Sequence, residues 1–370
     1  MFYLCVFLVF FVPTTGVSPA PQQSASTAQP VPQLSSTEVT QLQSKAEAGD
    51  AEAQLSLGRA YQNGNGVRQN DELAAKWYRK AADQGNAAAQ NNLGVMYRAG
   101  LGVEKNKEEA LKWYHIAARQ GNANAMFNIG AAYYDGDVER ATELAAYEWF
   151  VLAEEAGSSS AHDAVQRTAA ELGVPFTQDA LIEIAQMYEK GTDLPQNYAQ
   201  AIKWYNRAAE SGSAPAKVQL ASMYLNGNGV PKDYSRAMEL CRSAGILGYY
   251  CLGHIYVYGL GVPVDVKEAS KWYRKGADAG NSASMLALGQ MYWKGTGVEL
   301  DRAESYYYFF LAYSHREKTA QQYAEQVAKE MTDDDTKQLN KKLKHNHLDP
   351  NTVQTFMHSD LPPERGKRLK

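Results

Sequence analysis

The residues able to do chemistry in this chain are few and scattered. Of its seven histidines, the tightest grouping is His345-Asn346-His347, with His358 further on. A zinc site wants four ligands in a tetrahedron, and no cysteine or well-spaced carboxylate completes that set. His115 and His162 stand alone, as surface or seam residues do. Gly-x-Gly turns recur, but none follows a strand or runs on into G-x-x-G or G-K-[ST], so phosphate binding has no support. No Ser-x-x-Lys occurs, and no Ser/His/Asp grouping stands out. The expectation is a protein without catalytic residues, cofactor or metal. Cys241 and Cys251 lie ten residues apart, with two readings open: a disulfide formed in an oxidising compartment, or two buried thiols. A bridge closing so short a loop would add about 2–3 kcal/mol.

The elements that position these residues repeat. Gly58, Tyr61 and the pair Trp77-Tyr78 recur as Gly94, Tyr97 and Trp113-Tyr114, then as Gly130, Tyr133 and Trp149-Phe150, at a period of 36 residues. Four further copies follow: Ala185 with Tyr188 and Trp204-Tyr205, Ala221 with Tyr224 and Leu240-Cys241, Gly253 with Tyr256 and Trp272-Tyr273, and Gly289 with Tyr292 and Tyr308-Phe309. Such a period marks stacked helix pairs, each burying its apolar face only against its neighbours. In the first copy Leu57, Gly58 and Tyr61 share one helical face. Gly64-Asn65-Gly66-Val67 stops that helix, and Asp71 is a candidate cap for a second one carrying Ala74, Trp77, Tyr78, Ala81 and Ala82. Between Ala221 and Gly253 the period shrinks to 32, where the two cysteines lie.

The pattern A-x-A-Q-x-x-L-G-x-x-Y-x-x-G-x-G-V, then K-W-Y-x-x-A-A-x-x-G, resembles the Sel-1-like repeat family, cousins of the tetratricopeptide repeats. Residues 51–85, 87–121 and 282–297 match it closely, and the resemblance covers roughly residues 45–331. It implies an all-α, right-handed α/α superhelical solenoid of about seven repeats that works as an adaptor for protein complexes. Exported bacterial members of similar organisation serve in envelope assembly, signalling or host-cell contact. Some cysteine-rich members link the two helices of a repeat by cysteine pairs, and some are linked to penicillin-interacting activity. The missing Ser-x-x-Lys speaks against the latter here.

A second level of repetition has an offset of 159 residues. It relates Gly94 to Gly253 and Gly130 to Gly289, and lays Leu152-Ala153, Ala169 and Glu171 on Leu311-Ala312, Ala328 and Glu330. Both segments end in an extra helix without the Gly-Tyr signature, at 161–173 and 319–331, and these read as caps over exposed seams. The expected organisation is a signal peptide at 1–20, a disordered linker at 21–44 and a three-repeat block with its cap at 45–173. A four-repeat block with its cap follows at 174–331, then a polar helical or disordered tail at 332–370. A hinge is expected near Gly173-Val174-Pro175.

Residues 2–12 are almost wholly apolar and are followed by small residues, but eleven helical residues reach only about 16 Å and no Lys or Arg precedes them. The expectation is export, to the periplasm or outside the cell, with no membrane span in the mature chain. A net charge of −4 gives no electrostatic case for nucleic acid. The basic ending at 364–370 reads as a solvated tail.

If the first helix of each repeat lines the concave side, its solvent-facing positions fall at −3, +1, +4 and +5 from the anchor Gly or Ala. They give Asn91, Arg98, Phe127, Tyr134 and Asp135 in the first block, and Gln186, Glu189, Tyr250, His254, Tyr258, Trp293 and Lys294 in the second. Aromatics and Arg at positions that packing does not require are typical anchors for a protein partner. The expected function is a non-enzymatic scaffold gripping a partner protein along this groove. The alternative is a cell-wall enzyme or regulator in contact with peptidoglycan.

Overall fold

The computed structural model describes residues 33–138 and 142–349, apart from the side chains of residues 174 and 175. The expected signal peptide, the linker before residue 33, His358 and the basic ending lie outside the described residues. Eighteen α-helices and no strand are found among the described residues. Fourteen of them form seven antiparallel pairs: α2 (Ala51–Asn63) with α3 (Asp71–Asp83), α4 (Ala87–Ala99) with α5 (Lys107–Ala118), α6 (Ala123–Tyr134) with α7 (Glu143–Glu155), α9 (Val174–Lys190) with α10 (Tyr198–Glu210), α11 (Ala214–Asn226) with α12 (Tyr234–Ser243), α13 (Tyr249–Tyr258) with α14 (Val266–Asp278), and α15 (Ser282–Lys294) with α16 (Arg302–Ser314). The pairs stack into a solenoid flanked by α1 (Ser36–Glu47), α17 (Thr319–Glu330) and α18 (Asp333–His345), with α8 (Ala161–Leu172) inserted after the third pair.

Five of the seven pairs are closed by a Gly that receives an aromatic ring, the fourth and fifth carrying Ala185 and Ala221 there instead. A Cβ on Gly58 would lie 2.6 Å from the ring of Tyr78, so only glycine lets that ring lie flat on the first helix. Gly94 seats Tyr114, Gly130 Phe150, Gly253 Tyr273 and Gly289 Phe309 in the same way, always twenty residues on. Gly64 ends α2 at φ 68°, its N–H reaching the Ala60 carbonyl. The cap of α3 is Asn70, not Asp71: the Asn70 side chain accepts from the Leu73 N–H, and Asp71 is the first helical residue.

The helices show what lies at three of the expected boundaries. Helix begins at Ser36, inside the segment expected to be linker, because Ser35 and Glu38 form a capping box and Val39 and Ala46 are buried where α1 packs on α2. At the expected hinge, Gly173 (φ 80°) turns α8 directly into α9. Because α9 packs on α7, one contiguous core runs across that corner from Ala110 to Ile255. In the expected tail, α18 is capped by Thr332 with Asp335 and buries Leu339 and Leu343 against α16.

Cys241 and Cys251 are joined by a disulfide with a Cα–Cα separation of 6.0 Å, within the usual span. It links the second helix of the fifth pair to the first helix of the sixth, not the two helices within one repeat as the resemblance implied. The turn it spans is a single 3₁₀ stretch, Gly245–Gly248, and Cys241 stands where other repeats place the ring that sits on the anchor glycine.

Candidate partner-binding face

The twelve expected face residues divide into those absorbed by packing and those left open. Asn91, on α4, is buried and accepts a 2.8 Å hydrogen bond from the Asn128 amide on α6, so it joins two helices instead of facing solvent. Its amide finds a partner 37 residues on, one repeat away. Arg98 pairs with Asp135 at 2.6 Å and Asp137 at 2.8 Å, and Lys107 meets Asp137 at 2.6 Å. Burial alone would raise the Asp137 carboxyl, but Lys107 and Arg98 overcome it and hold it below the usual carboxylate range. Arg98 and Asp135 thus neutralise each other across the α4–α6 seam. Phe127 is half-buried with its ring 5.3 Å from Phe150.

Two of the aromatic candidates, Tyr134 and Trp293, are held within the chain. Tyr134 donates to Glu171 at 3.1 Å under the Arg167 guanidinium, and Trp293 Nε1 donates to Glu330 at 3.1 Å beside Tyr323. The pairs Tyr134–Glu171 and Trp293–Glu330 are related by the 159-residue offset, and each ties a repeat helix to its extra helix, α8 or α17. Gln186 accepts from Lys190 at 2.9 Å, and Glu189 accepts from the buried Tyr205 hydroxyl at 2.6 Å. Lys294 is exposed.

What stays open is α13. Tyr250, His254 and Tyr258 stand one above another at helical spacing, with ring centroids 6.3 Å and 4.5 Å apart, and Tyr258 is 63% exposed. Burial lowers the His254 pKa, so its ring is neutral at pH 7. Opposite this ladder, α11 presents Gln219, Ser222 and Asn226, and between the two helices runs a cleft of about 590 Å³ with Lys232 and Tyr234 in its wall. Sequence reasoning passed over the α11 wall, although the offsets that found Tyr250 and Tyr258 give Val218, Ser222, Leu225 and Asn226 when counted from Ala221. All four line the cleft.

Among the described residues, no group of three or more His, Cys, Asp or Glu is placed to hold a metal ion. A carboxyl displaced far from its ordinary range lies elsewhere, at Glu148 in α7. It is buried beside Trp149, and burial, reinforced by the charges of Glu183 and Asp193, pushes its carboxyl up to about 8. His115 on α5 packs edge-on against Trp149 at 5.2 Å, and burial lowers its pKa even though Asp193 pulls it upward.

The Sel1 repeat family model matches seven times, at residues 51–86, 87–122, 123–158, 178–213, 214–249, 246–281 and 282–315. The fifth and sixth matches overlap on the shortened turn that the disulfide spans. The chain is similar to the solved structure of a protective antigen with an SLR fold from uropathogenic Escherichia coli, at 29% identity over 83% of this chain and 70% of that one, TM-score 0.42. It is similar also to a Sel1 repeat protein from Oxalobacter formigenes, at 29% identity over 79% and 80% of the two chains, TM-score 0.38. No curated protein sequence matches.

Proposed function

We propose, from the premise that this chain belongs to the Sel1 repeat family, that it is a non-catalytic interaction scaffold. It holds a segment of a partner protein on the face formed by the first helices of its repeats, with the grip centred on α11 and α13. The observation that carries this reading is the exposed aromatic ladder of α13. Each repeat buries its own rings between helices, whereas Tyr258 leaves most of its ring in solvent and beside a cleft. The Cys241–Cys251 bridge supports work in an oxidising compartment, the periplasm or the exterior, because cytosolic thiols are kept reduced.

The test is a pull-down with residues 21–370 from envelope and host-cell extracts, run beside Tyr250→Ala/Tyr258→Ala and Tyr134→Ala/Trp293→Ala. A partner held by wild type and lost only by the α13 double variant, with helicity unchanged, is the expected result. Equal loss in both variants would move the grip off α13. Retention by both would remove the face altogether. Alkylation of whole cells before lysis, followed by mass measurement, reads the cysteines: an unmodified pair is expected, and two alkylated thiols would contradict the oxidising location.

A further inference from the structure

The cleft between α11 and α13 has the two walls and the one charge that an extended acidic peptide needs. Gln219, Ser222 and Asn226 follow each other along α11 at helical spacing, and Tyr250, His254 and Tyr258 do the same along α13. Each wall covers eight or nine residues of helix, a length of about 12 Å, which three to four residues of extended peptide would span. Amide and hydroxyl side chains can pair with peptide N–H and C=O groups at any sequence, while flat rings take apolar side chains at low entropic cost. No carboxylate lines the cleft, and Lys232 is its one formal cation, with neither an ion pair nor a side-chain hydrogen bond among the described residues. A lone lysine beside neutral walls favours an anion and disfavours a basic segment.

We propose that this cleft binds an extended acidic peptide segment of the partner, with a carboxylate on Lys232 and alternate apolar side chains against Tyr250 and Tyr258. The inference rests on the reading of this face as the partner-binding surface and names its ligand chemistry.

The test uses the full chain to select from a display library of random linear heptapeptides, with melting curves confirming that each variant folds. The expected pool pairs an Asp or Glu with apolar residues at alternating positions. For synthetic peptides from that pool, Tyr258→Ala weakens binding by about tenfold or more, as loss of a central aromatic anchor does. Lys232→Glu turns the selected pool towards Lys and Arg, and Lys341→Glu on the exposed side of α18 changes nothing. An unaltered acidic pool with Lys232→Glu overturns the carboxylate assignment. If the peptides are lost with Trp293→Ala but not with Tyr258→Ala, this cleft is wrong while the scaffold reading stands. If no peptide is selected, both fall. A β-1,4-linked N-acetylglucosamine trisaccharide that binds through Tyr258 where no peptide does would make the cleft a sugar site and overturn the proposal.

Discussion

The corner made by α7, α8 and α9 and the end made by α16, α17 and α18 are the same three-helix arrangement built twice. Offset by 159 residues, Val174 at the start of α9 falls on Asp333 at the start of α18, and Ala161 of α8 falls on Ala320 of α17. In both places the extra helix receives a hydrogen bond from the repeat helix through an equivalent glutamate, and the following helix packs back onto the second helix of the last pair. Ala180 and Ile184 of α9 are buried, as are their counterparts Leu339 and Leu343 of α18. The difference lies on the adjacent stripe. In α9, Leu181 and Ala185 are also buried and α10 packs there, whereas α18 carries Asn340 and Lys344 at those positions. One arrangement therefore serves as a connector or as a cap, and a single helical stripe decides which.

The largest effect should come from removing the shared contact. Ile184→Ala and Leu343→Ala each open a fully buried site, at about 2–4 kcal/mol. In denaturant titrations Ile184→Ala should weaken the array on both sides of the corner. Leu343→Ala should release α18 alone, seen as fast amide exchange confined to residues 333–345. Equal spread of exchange in both variants would break the comparison.

The corner alone contains Glu148, whose counterpart at the end is Tyr307. Its carboxyl titrates near 4.5 in the unfolded chain and near 8 in the folded one, so the unfolded chain binds fewer protons between those values. Stability at the corner is full below pH 4.5 and falls as pH rises towards 8, by on the order of 1 kcal/mol per pH unit. Glu148→Gln should flatten that dependence in melting curves taken from pH 5 to 9. An unchanged slope would remove Glu148 as its source.

A gentler test rebuilds the connector on the cap. The double variant Asn340→Leu/Lys344→Ala gives α18 the stripe of α9. It should raise association with concentration in sedimentation while leaving the array folded, and a strictly monomeric variant would show that the stripe is not what stops stacking. The smallest change is expected from Glu171→Gln and Glu330→Gln. Both acceptors are on the surface, with Glu330 the more sensitive because Arg302 also pairs with it at 3.4 Å. A larger melting shift for Glu171→Gln would reverse that order.

The sequence made the repeat legible because its chemistry is local. The spacing from Gly58 to Tyr78 is a steric seat, and it recurs at Gly94, Gly130, Gly253 and Gly289. The cap of α3 was read one residue late because Asn70 and Asp71 are both good caps, and only the geometry selects between them. Exposure was legible at Tyr258, whose ring stays mostly in solvent. The face was misread at Asn91, Arg98 and Trp293, whose partners lie 37 to 39 residues on. The α1 helix was hidden by the Pro- and Ser-rich stretch before it, although Ser35 and Glu38 carry the signal. Continuity of the core across Gly173 depends on α9 folding back onto α7, a contact without a sequence period.

The Cys241–Cys251 bridge also gives the chain a mechanical signature. Pulled from its two ends, the array should lengthen repeat by repeat, but the segment between the two cysteines, ten residues apart in sequence, stays shorted out of the load path. An oxidised molecule should therefore reach a final contour length about 30 Å below that of its reduced form. Because the bridge sits between the fifth and sixth pairs, that missing length belongs to the rupture of those two pairs and to no other step in the trace.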